Sequence, residues 1–241
     1  MEQRISLVIP AYNEEKYIYS CLKNAIENSE GGFFEIIVVD NNSSDNTAQV
    51  AAQFPGIRVV CEKQKGTGYA RQRGLEEARG EWVAFVDADT HIPSDWIIKA
   101  RAELKQNQQI VSLSGPYKYY DISHWQNIIM KLVWWLFAPL AYKLVGYMIL
   151  GGNVILKKEA MLAVGGFDKE ISFYGDDTNA ARRLSGAGKV VFKMDFIVHG
   201  SARRFRQEGF VRTNINYALN FLWQVIFHRP FTKFHQDVRL D

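Results

Sequence analysis

The chain has few cysteines, little net charge and no flexible linker, and each shortage excludes a class of protein. Its 241 residues include only two cysteines, Cys21 and Cys61, which lie far apart in the sequence. Two cysteines form no disulfide framework, so a reducing compartment is expected. The N-terminus has only a short apolar run before acidic residues, and we therefore expect no secretory signal and a cytoplasmic protein.

The charge of the chain is small and unevenly distributed. A net charge of +3 is too low to indicate a nucleic-acid partner, and we expect none. From His199 onward, however, there are seven Lys and Arg residues against three Asp and Glu residues, so the C-terminal part is basic. The absence of a Gly-, Ser- or Pro-rich linker favours one domain, and the length leaves room for an appendage.

The first 115 residues alternate between patterns typical of buried strands and of helices. Short apolar runs at 5–10, 35–40, 57–61 and 82–86 predict four strands. Helical patterns lie between them, and Asn13 and Ser94 stand where helix caps are expected. Strands that alternate with helices predict an α/β fold, with a Rossmann-like, mainly parallel sheet flanked by helices.

One strand ends in two aspartates, Asp87 and Asp89, within the run WVAFVDADTHIP. Two carboxylates this close repel each other, and a bound cation removes that cost. Sheets of this kind bind ligands beyond the carboxyl ends of their strands, where this sequence has three acidic loops and one basic, glycine-rich loop. A nucleoside diphosphate with a divalent metal, Mn²⁺ or Mg²⁺, needs both signs of charge.

The glycine-rich loop GTGYAR, at 66–71, does not fit two common nucleotide-binding motifs. A dinucleotide fingerprint needs a third glycine where Arg71 stands, and it follows the first strand rather than the third. A P-loop needs Gly-Lys followed by Ser or Thr, and the sequence has no such run. Both readings are therefore excluded.

Five motifs, taken in order and spacing, carry a resemblance to a known family. They read VIPAYNEE, VVDNNSSDNT, GTGYARQRGLEEARGEWVAFVDADT, GGNVILKKEAMLAVGGFD and YGDDTNAARRLSGAG, and together they resemble the family 2 glycosyltransferases over residues 5–190. The resemblance implies the glycosyltransferase A-type (GT-A) fold and an inverting enzyme. It also implies a catalytic domain at 1–200, with a nucleotide-binding half at 1–115 and an acceptor half at 116–200. A basic, amphipathic helical extension would follow at 201–241.

The resemblance also implies which residues bind the donor nucleotide. They are Pro10, Ala11, Tyr12, Glu14, Asp40, Lys65, Gly66, Arg71, Asp87, Ala88 and Asp89. Within this set, Asp40 would hydrogen-bond the base and Arg71 would support the first aspartate. Asp89 would coordinate the metal, and Asp87 would contact the ribose or the metal's shell.

The same resemblance implies the catalytic and sugar-binding residues. Asp177 would be the general base, with Asp176 as the next candidate, and Gly152 and Asn153 would contact the donor or acceptor sugar. The start of a helix favours a charged carboxylate, so Asp177 would be ready to accept a proton near neutral pH. The Q-x-x-R-W motif of processive members is missing, which favours transfer of a single sugar.

Several of these residues have structural alternatives. Asp176 and Asp177 would also suit helix caps, Tyr12 would suit packing, and Arg71 would suit a solvated helix face. His199 precedes the basic run and fits a third metal ligand or a structural histidine equally well.

Two apolar segments lie outside the motifs. Residues 125–150 contain three of the six tryptophans and are interrupted by Lys131, Pro139 and Lys143. They fit one or two helices at a membrane interface, or an excursion that packs in the core. Residues 209–227 carry an apolar stripe and predict an amphipathic helix. With the basic C-terminal part, both segments predict peripheral contact with the inner face of a membrane.

The leading hypothesis is a metal-dependent inverting glycosyltransferase. It would move one sugar from a nucleotide-diphosphate sugar, with UDP favoured over GDP, to a hydroxyl of a glycan or a lipid-linked acceptor. Two alternatives stay open: a polyprenyl-phosphate sugar synthase of the same superfamily, and a catalytically silent module that only binds nucleotide sugars. The intact DAD and GDD runs favour an enzyme.

Overall fold

A seven-stranded sheet forms the centre of the protein, and the computed structural model describes residues 3–171 and 174–232. The strands are β1 Ile5–Ala11, β2 Glu35–Asp40, β3 Ile57–Cys61, β4 Trp82–Val86, β5 Thr90–His91, β6 Ile110–Ser114, β7 Tyr117–Tyr119, β8 Asn153–Lys157, β9 Lys189–Phe192 and β10 Val198–Gly200. The helices are α1 Glu15–Ser29, α2 Thr47–Ala51, α3 Thr67–Glu77, α4 Trp96–Gln106, α5 His124–Val145, α6 Lys158–Ala163, α7 Asp176–Ser185, α8 Arg203–Glu208 and α9 Phe210–Phe227.

The strand order of the central sheet is β3-β2-β1-β4-β8-β6-β9. The first four strands are parallel, β8 runs antiparallel to β4 and β6, and β9 is parallel to β6. Strands β5, β10 and β7 form a separate, three-stranded sheet. The predicted halves at 1–115 and 116–200 therefore share one sheet, because β6 of the first half pairs with β8 and β9 of the second.

Both faces of the central sheet are covered, and the alternation along β1 shows how. Ile5, Leu7 and Ile9 pack with α1 and α4, while Val8 packs with α3 and α7 on the other face. Strands buried on both faces read as continuous apolar runs. All four predicted strands are present, as β1, β2, β3 and β4, and β3, at the edge of the sheet, is the one that is only partly buried.

The predicted helix caps are wrong at both positions. Asn13 has a positive φ of 52° and lies before the first turn of α1. The amides of Glu14 and Glu15 instead donate to Thr47 Oγ1 at 2.7 Å and to Asp45 Oδ2 at 3.1 Å, so the segment between β2 and the start of α2 supplies the cap. At α4, the N-cap is Asp95 rather than Ser94. A cap from a distant loop leaves no local sequence signal.

Helices α5 and α9 expose apolar side chains. Within the described residues, α5 is the one helix long and apolar enough to cross a membrane. Only Met130 and Ala138 of it are buried, and Trp134, Ala141 and Tyr142 are partly buried against the protein. The alternative of a core-packing excursion is therefore wrong for this segment. The exposed apolar residues are Trp125, Ile128, Ile129, Leu132, Trp135, Leu136, Phe137, Leu140 and Leu144 on α5, and Val211, Ile215, Leu219, Leu222, Ile226 and Phe227 on α9.

The amphipathic pattern of α9 is present, but its polar side faces the protein. Thr213, Asn220 and Gln224 are buried, whereas the apolar stripe faces outward. Asn220 also holds the last described residue, because its Oδ1 accepts a hydrogen bond from Thr232 N at 3.1 Å. The rest of the predicted extension, 233–241, lies outside the described residues.

Candidate active site

Loops at the carboxyl ends of β1 and β4 and the start of α7 border one cavity of about 450 Å³. This is where a doubly covered parallel sheet places ligands. The predicted site residues that line the cavity are Pro10, Glu14, Arg71, Asp87, Ala88, Asp89, Gly152, Asp176 and Asp177. The fold thus brings together side chains that are more than 160 positions apart in the sequence.

A buried arginine ties the end of β4 to α7. Arg71, on α3, is 8% exposed and forms ion pairs with Asp176 and Asp87, the latter at 3.6 Å from Nη2 to Oδ1. Asp87 Oδ2 also accepts a hydrogen bond from Tyr117 Oη at 3.1 Å. A buried guanidinium needs such partners, so the alternative of a solvated helix residue is wrong.

Gly151 and Gly152 make room for this ion pair. A Cβ at position 151 would overlap the guanidinium of Arg71, and a Cβ at position 152 would overlap the carboxylate of Asp87 and the hydroxyl of Tyr117. Both glycines lie in the turn that leads into β8. A side chain at either position would displace the groups that face the cavity.

Helix α7 begins with the two aspartates, and they differ in environment. Asp176 is held by Arg71, and burial raises its pKa although Arg71 opposes the rise. Asp177 opens partly to the cavity, and burial together with the negative charge of Asp176 raises its pKa to about 7. Burial and the charge of Asp176 outweigh the effect of the helix N-terminus, which favours the charged carboxylate and would lower the pKa. A carboxylate with a pKa near 7 can take up a proton at neutral pH.

Arg203, on α8, bridges Glu14 and Asp89. Its Nη1 donates to Glu14 Oε2 at 2.8 Å, its Nη2 donates to Glu14 Oε1, and its Nε lies 3.1 Å from Asp89 Oδ2. The guanidinium also lies over the ring of Tyr17, 4.9 Å from the centroid. Sequence reasoning assigned Arg203 no role, although the basic run ARRFR directly after the last strand was a signal.

The residues predicted to hold the base lie at the neighbouring strand ends. Lys65 Nζ donates to Tyr12 Oη at 2.8 Å and lies 4.6 Å from the centre of that ring. Gly66 N donates to Asn41 Oδ1 at 2.8 Å, which holds the glycine-rich loop beside β2. Asp40 is buried, and its Oδ1 has no hydrogen-bond partner within the described ranges. Such an oxygen is costly to bury alone, and a carboxylate oxygen accepts N–H donors. Asp40 does not line the cavity, so this oxygen is enclosed by the protein in the structure.

The oxygen donors at the end of β4 fit a hard divalent cation. Asp87 and Asp89 line the same cavity, and Asp89 already pairs with a cationic side chain. Across residues 3–171 and 174–232, no three or more His, Cys, Asp or Glu side chains form a group that could hold a metal. Metals held by one or two carboxylates commonly complete their shell with substrate phosphates and water. The donor set therefore suits a cation that is bound together with a diphosphate.

The structure corrects the prediction that Asn153 contacts a sugar. Asn153 is fully buried, its Nδ2 donates to the carbonyls of Gly115 and Phe196, and its Oδ1 accepts from Trp96 Nε1 at 3.1 Å. A buried amide must have its hydrogen bonds satisfied, and here the protein satisfies them. Asn153 therefore joins β8 to neighbouring segments, and of the two predicted sugar-binding residues only Gly152 lines the cavity.

The structure also corrects the prediction that His199 is a third metal ligand. His199 lies opposite His91 and Lys118 in the three-stranded sheet and does not line the cavity. Burial, Lys118 and His91 lower the pKa of its imidazole, and no carboxylate contributes. Ala11 has its side chain in the core, which leaves only its backbone for a nucleotide.

The cavity continues away from the aspartates, between α5 and α9. This part has apolar walls, formed by Trp134, Phe137, Ala138 and Ala141 of α5 and by Ala218 and Phe221 of α9. One space therefore has a charged end at the strand termini and an apolar end between two helices.

Comparison with known protein families shows a match over more than half of the chain. The protein-family model described as Glycosyl transferase family 2 matches residues 6–162, more than half of the chain. Glycosyltransferase AglE of Haloferax volcanii is 35% identical over 100 residues, which are 39% of this chain and 33% of AglE. The chain spans less than half of the length of the curated relatives it matches.

Two solved structures are similar over nearly the whole chain. The mannosyltransferase PcManGT of Pyrobaculum calidifontis, in complex with GDP-Man and Mn²⁺, aligns with a TM-score of 0.73 and 20% identity, over 94% of this chain and 65% of that one. Glucosyl-3-phosphoglycerate synthase of Mycobacterium tuberculosis, with Mn²⁺, UDP and phosphoglyceric acid, aligns with a TM-score of 0.64 and 23% identity, over 90% and 78%. These likenesses confirm the GT-A fold.

Proposed function

Because this chain belongs to glycosyl transferase family 2, we propose that it is a metal-dependent, inverting glycosyltransferase that uses a nucleotide-diphosphate sugar. The observation that carries the proposal is the single cavity lined by Asp89 at the end of β4 and Asp177 at the start of α7. It would transfer one sugar to a hydroxyl of a glycan or a lipid-linked acceptor. The absence of the processive Q-x-x-R-W motif supports single transfer.

The donor base would bind at the ends of β1, β2 and β3. The unpaired Oδ1 of Asp40 would accept a hydrogen bond from a ring N–H of the base, and the ring of Tyr12 offers a face beside Lys65. Both uracil and guanine carry such an N–H. We favour UDP, with GDP as the second choice, and the two structural neighbours bind one of each.

The diphosphate would lie in the charged end of the cavity. Asp89 would bind a divalent metal, Mn²⁺ or Mg²⁺, and Asp87 would bind the same metal or the ribose. When bound, such a metal stabilises the negative charge that develops on the leaving diphosphate. Arg71 keeps the carboxylate of Asp87 in place, because the guanidinium of Arg71 is itself held by Asp176.

Asp177 would be the general base. It opens to the cavity, whereas Asp176 is occupied by Arg71, so the two carboxylates have separate tasks. Asp177 would take the proton of the acceptor hydroxyl as the oxygen attacks the anomeric carbon on the face opposite the diphosphate. Attack from that face inverts the anomeric centre, and one base is sufficient.

The outward faces of α5 and α9 would lie on the inner face of a membrane. They carry exposed tryptophan, phenylalanine and aliphatic side chains, and Arg206 of α8 and Arg212 of α9 add exposed positive charge. We propose that the protein is cytoplasmic and attached there at the surface. Helix α5 would lie along the membrane rather than cross it, because Met130 and Ala138 pack against the rest of the protein.

Two substitutions separate donor binding from catalysis. Asp177→Asn keeps the shape of the side chain but removes the base, so donor binding should persist while kcat falls by about 10² to 10⁴. Asp89→Ala should lose metal-dependent donor binding and turnover together. Binding is measured by calorimetry and turnover by release of the nucleoside diphosphate. Transfer at the wild-type rate by Asp177→Asn would refute the assignment, and a wild-type protein that binds donor without turnover would be a silent binding module.

A further inference from the structure

The apolar end of the cavity has no task in the binding of a nucleotide sugar. Trp134, Phe137 and Ala141 of α5 face Ala218 and Phe221 of α9 across it, and the same space reaches Asp177. A sugar acceptor is bound by many polar groups, whereas these walls offer mostly hydrocarbon and aromatic surface, with Asn214 and Asn220 as the exceptions on α9. A bound hydrocarbon chain would remove that surface from water.

The same two helices carry apolar side chains on their outer faces. Trp135, Leu136 and Leu140 of α5 and Leu222 and Ile226 of α9 are all more than half exposed. The apolar end of the cavity therefore lies between two helices whose outer faces are also apolar, although α9 adds Asn214 and Asn220 to the cavity lining. A molecule embedded in a lipid surface could pass its chain between them along the apolar side chains of Phe137, Ala141 and Phe221.

The charges at the other end of the cavity favour a neutral acceptor head. Five carboxylates line the space, namely Glu14, Asp87, Asp89, Asp176 and Asp177, against the arginines Arg71, Arg203 and Arg204. Each of these arginines pairs with at least one carboxylate: Arg71 with Asp176, Arg203 with Glu14, and Arg204 with Glu208. A phosphate head next to Asp177 would meet a like charge, whereas a hydroxyl would meet a hydrogen-bond acceptor.

We propose that the acceptor is a neutral lipid with a free hydroxyl, whose head lies at Asp177 and whose hydrocarbon chain lies between α5 and α9. This inference rests on the proposed function and names its acceptor class. In the transfer, the acceptor O–H bond breaks and its proton passes to Asp177, while the oxygen forms a bond to the anomeric carbon. The bond from that carbon to the diphosphate oxygen breaks, and its electron pair leaves with the diphosphate.

The test uses glucosides with methyl, hexyl and octyl chains, below the concentrations at which they form micelles. Each added methylene that enters the cavity should tighten binding about twofold to fourfold, so the octyl glucoside should bind at least about a hundredfold more tightly than the methyl glucoside. Binding is measured by calorimetry in the presence of UDP and Mn²⁺. Calorimetry needs no turnover, so an unsuitable sugar head does not hide the effect of the chain.

Two variants fill the apolar end from opposite walls. Ala141→Trp on α5 and Ala218→Trp on α9 should each weaken octyl glucoside binding at least tenfold and leave UDP binding unchanged. Leu140→Trp and Leu219→Trp place the same side chain at an adjacent position, which is exposed and outside the cavity lining, and should bind like the wild type. Two variants on different helices guard against a folding defect in one of them.

Three outcomes would overturn the inference. They are affinities that do not depend on chain length, variants that bind octyl glucoside as tightly as the wild type, or tighter binding of octyl phosphate than of octyl glucoside. The last result would favour a polyprenyl-phosphate acceptor. Failure of the proposed function is a separate result, since it would appear as no metal-dependent UDP binding by the wild-type protein.

Discussion

The raised pKa of Asp177 makes the folded protein less stable at high pH, and Asp177→Asn should remove that cost. Burial and the charge of Asp176 raise this pKa from 3.8 to about 7. The folded state therefore holds a proton that the unfolded chain releases, so the stability contributed by this group falls as pH rises from about 4 to about 7. Each tenfold change in proton affinity is worth about 1.4 kcal/mol, which gives on the order of 4 kcal/mol.

The expected effect is smaller, because Asp177 opens partly to the cavity and solvent screens its charge. We expect Asp177→Asn to be about 2 kcal/mol more stable than the wild type at pH 8 and equally stable at pH 4. Urea denaturation at a series of pH values measures the difference. Asp195→Asn, at an exposed carboxylate, is the matched control for loss of one negative charge and should follow the wild type.

A variant that is inactive yet more stable at pH 8 would show that the carboxylate is retained for catalysis at a cost in stability. If Asp177→Asn were no more stable than the wild type at pH 8, the burial argument would be refuted. If it were less stable at every pH, the side chain of Asp177 would be needed for the fold. The assignment of the general base would then have to be tested by substitution of another carboxylate.

Three further predictions follow from the same contacts. Asp176→Asn removes the like charge beside the base, so the rise of kcat/KM with pH should move from about 7 to lower pH, and an unchanged profile would contradict this. Gly152→Ala should weaken metal-dependent donor binding at least about tenfold in calorimetry, since its Cβ displaces the aspartate at the cavity, while Gly186→Ala, which meets only ordinary contacts, should not. Leu222→Glu should reduce co-flotation with anionic vesicles at low salt, whereas Ile98→Glu on α4 should not, and equal flotation of both would argue against the membrane surface.

Local patterns predicted the first half of the fold well. The apolar runs of β1, β2 and β4 are largely buried, and that of β3, at the edge of the sheet, is partly buried, so the composition of each run is enough to identify it. The position of β8 could not be predicted in this way. It lies between β4 and β6 in antiparallel orientation, and its partners are set by tertiary packing rather than by its own sequence.

The candidate site was predictable where a motif marks a strand end or a helix start. Asp89 and Asp177 line one cavity for that reason. The contacts of Arg203 were not predictable, because it reaches Glu14 across 189 positions and depends on how α8 packs. Asn153 was misassigned because a polar residue next to a glycine pair looks the same in sequence whether it faces a ligand or binds three internal partners.

Calorimetric titration of UDP, with GDP in parallel, tests the proposed donor site most directly. We expect the wild-type protein to bind one of these nucleotides in the presence of Mn²⁺ and to lose that binding in EDTA, because the carboxylates at the end of β4 repel a diphosphate unless a cation lies between them. Asp89→Ala should bind neither nucleotide with or without metal. Equally tight binding in EDTA, or unchanged binding by Asp89→Ala, would contradict a metal-dependent nucleotide-sugar site in this cavity.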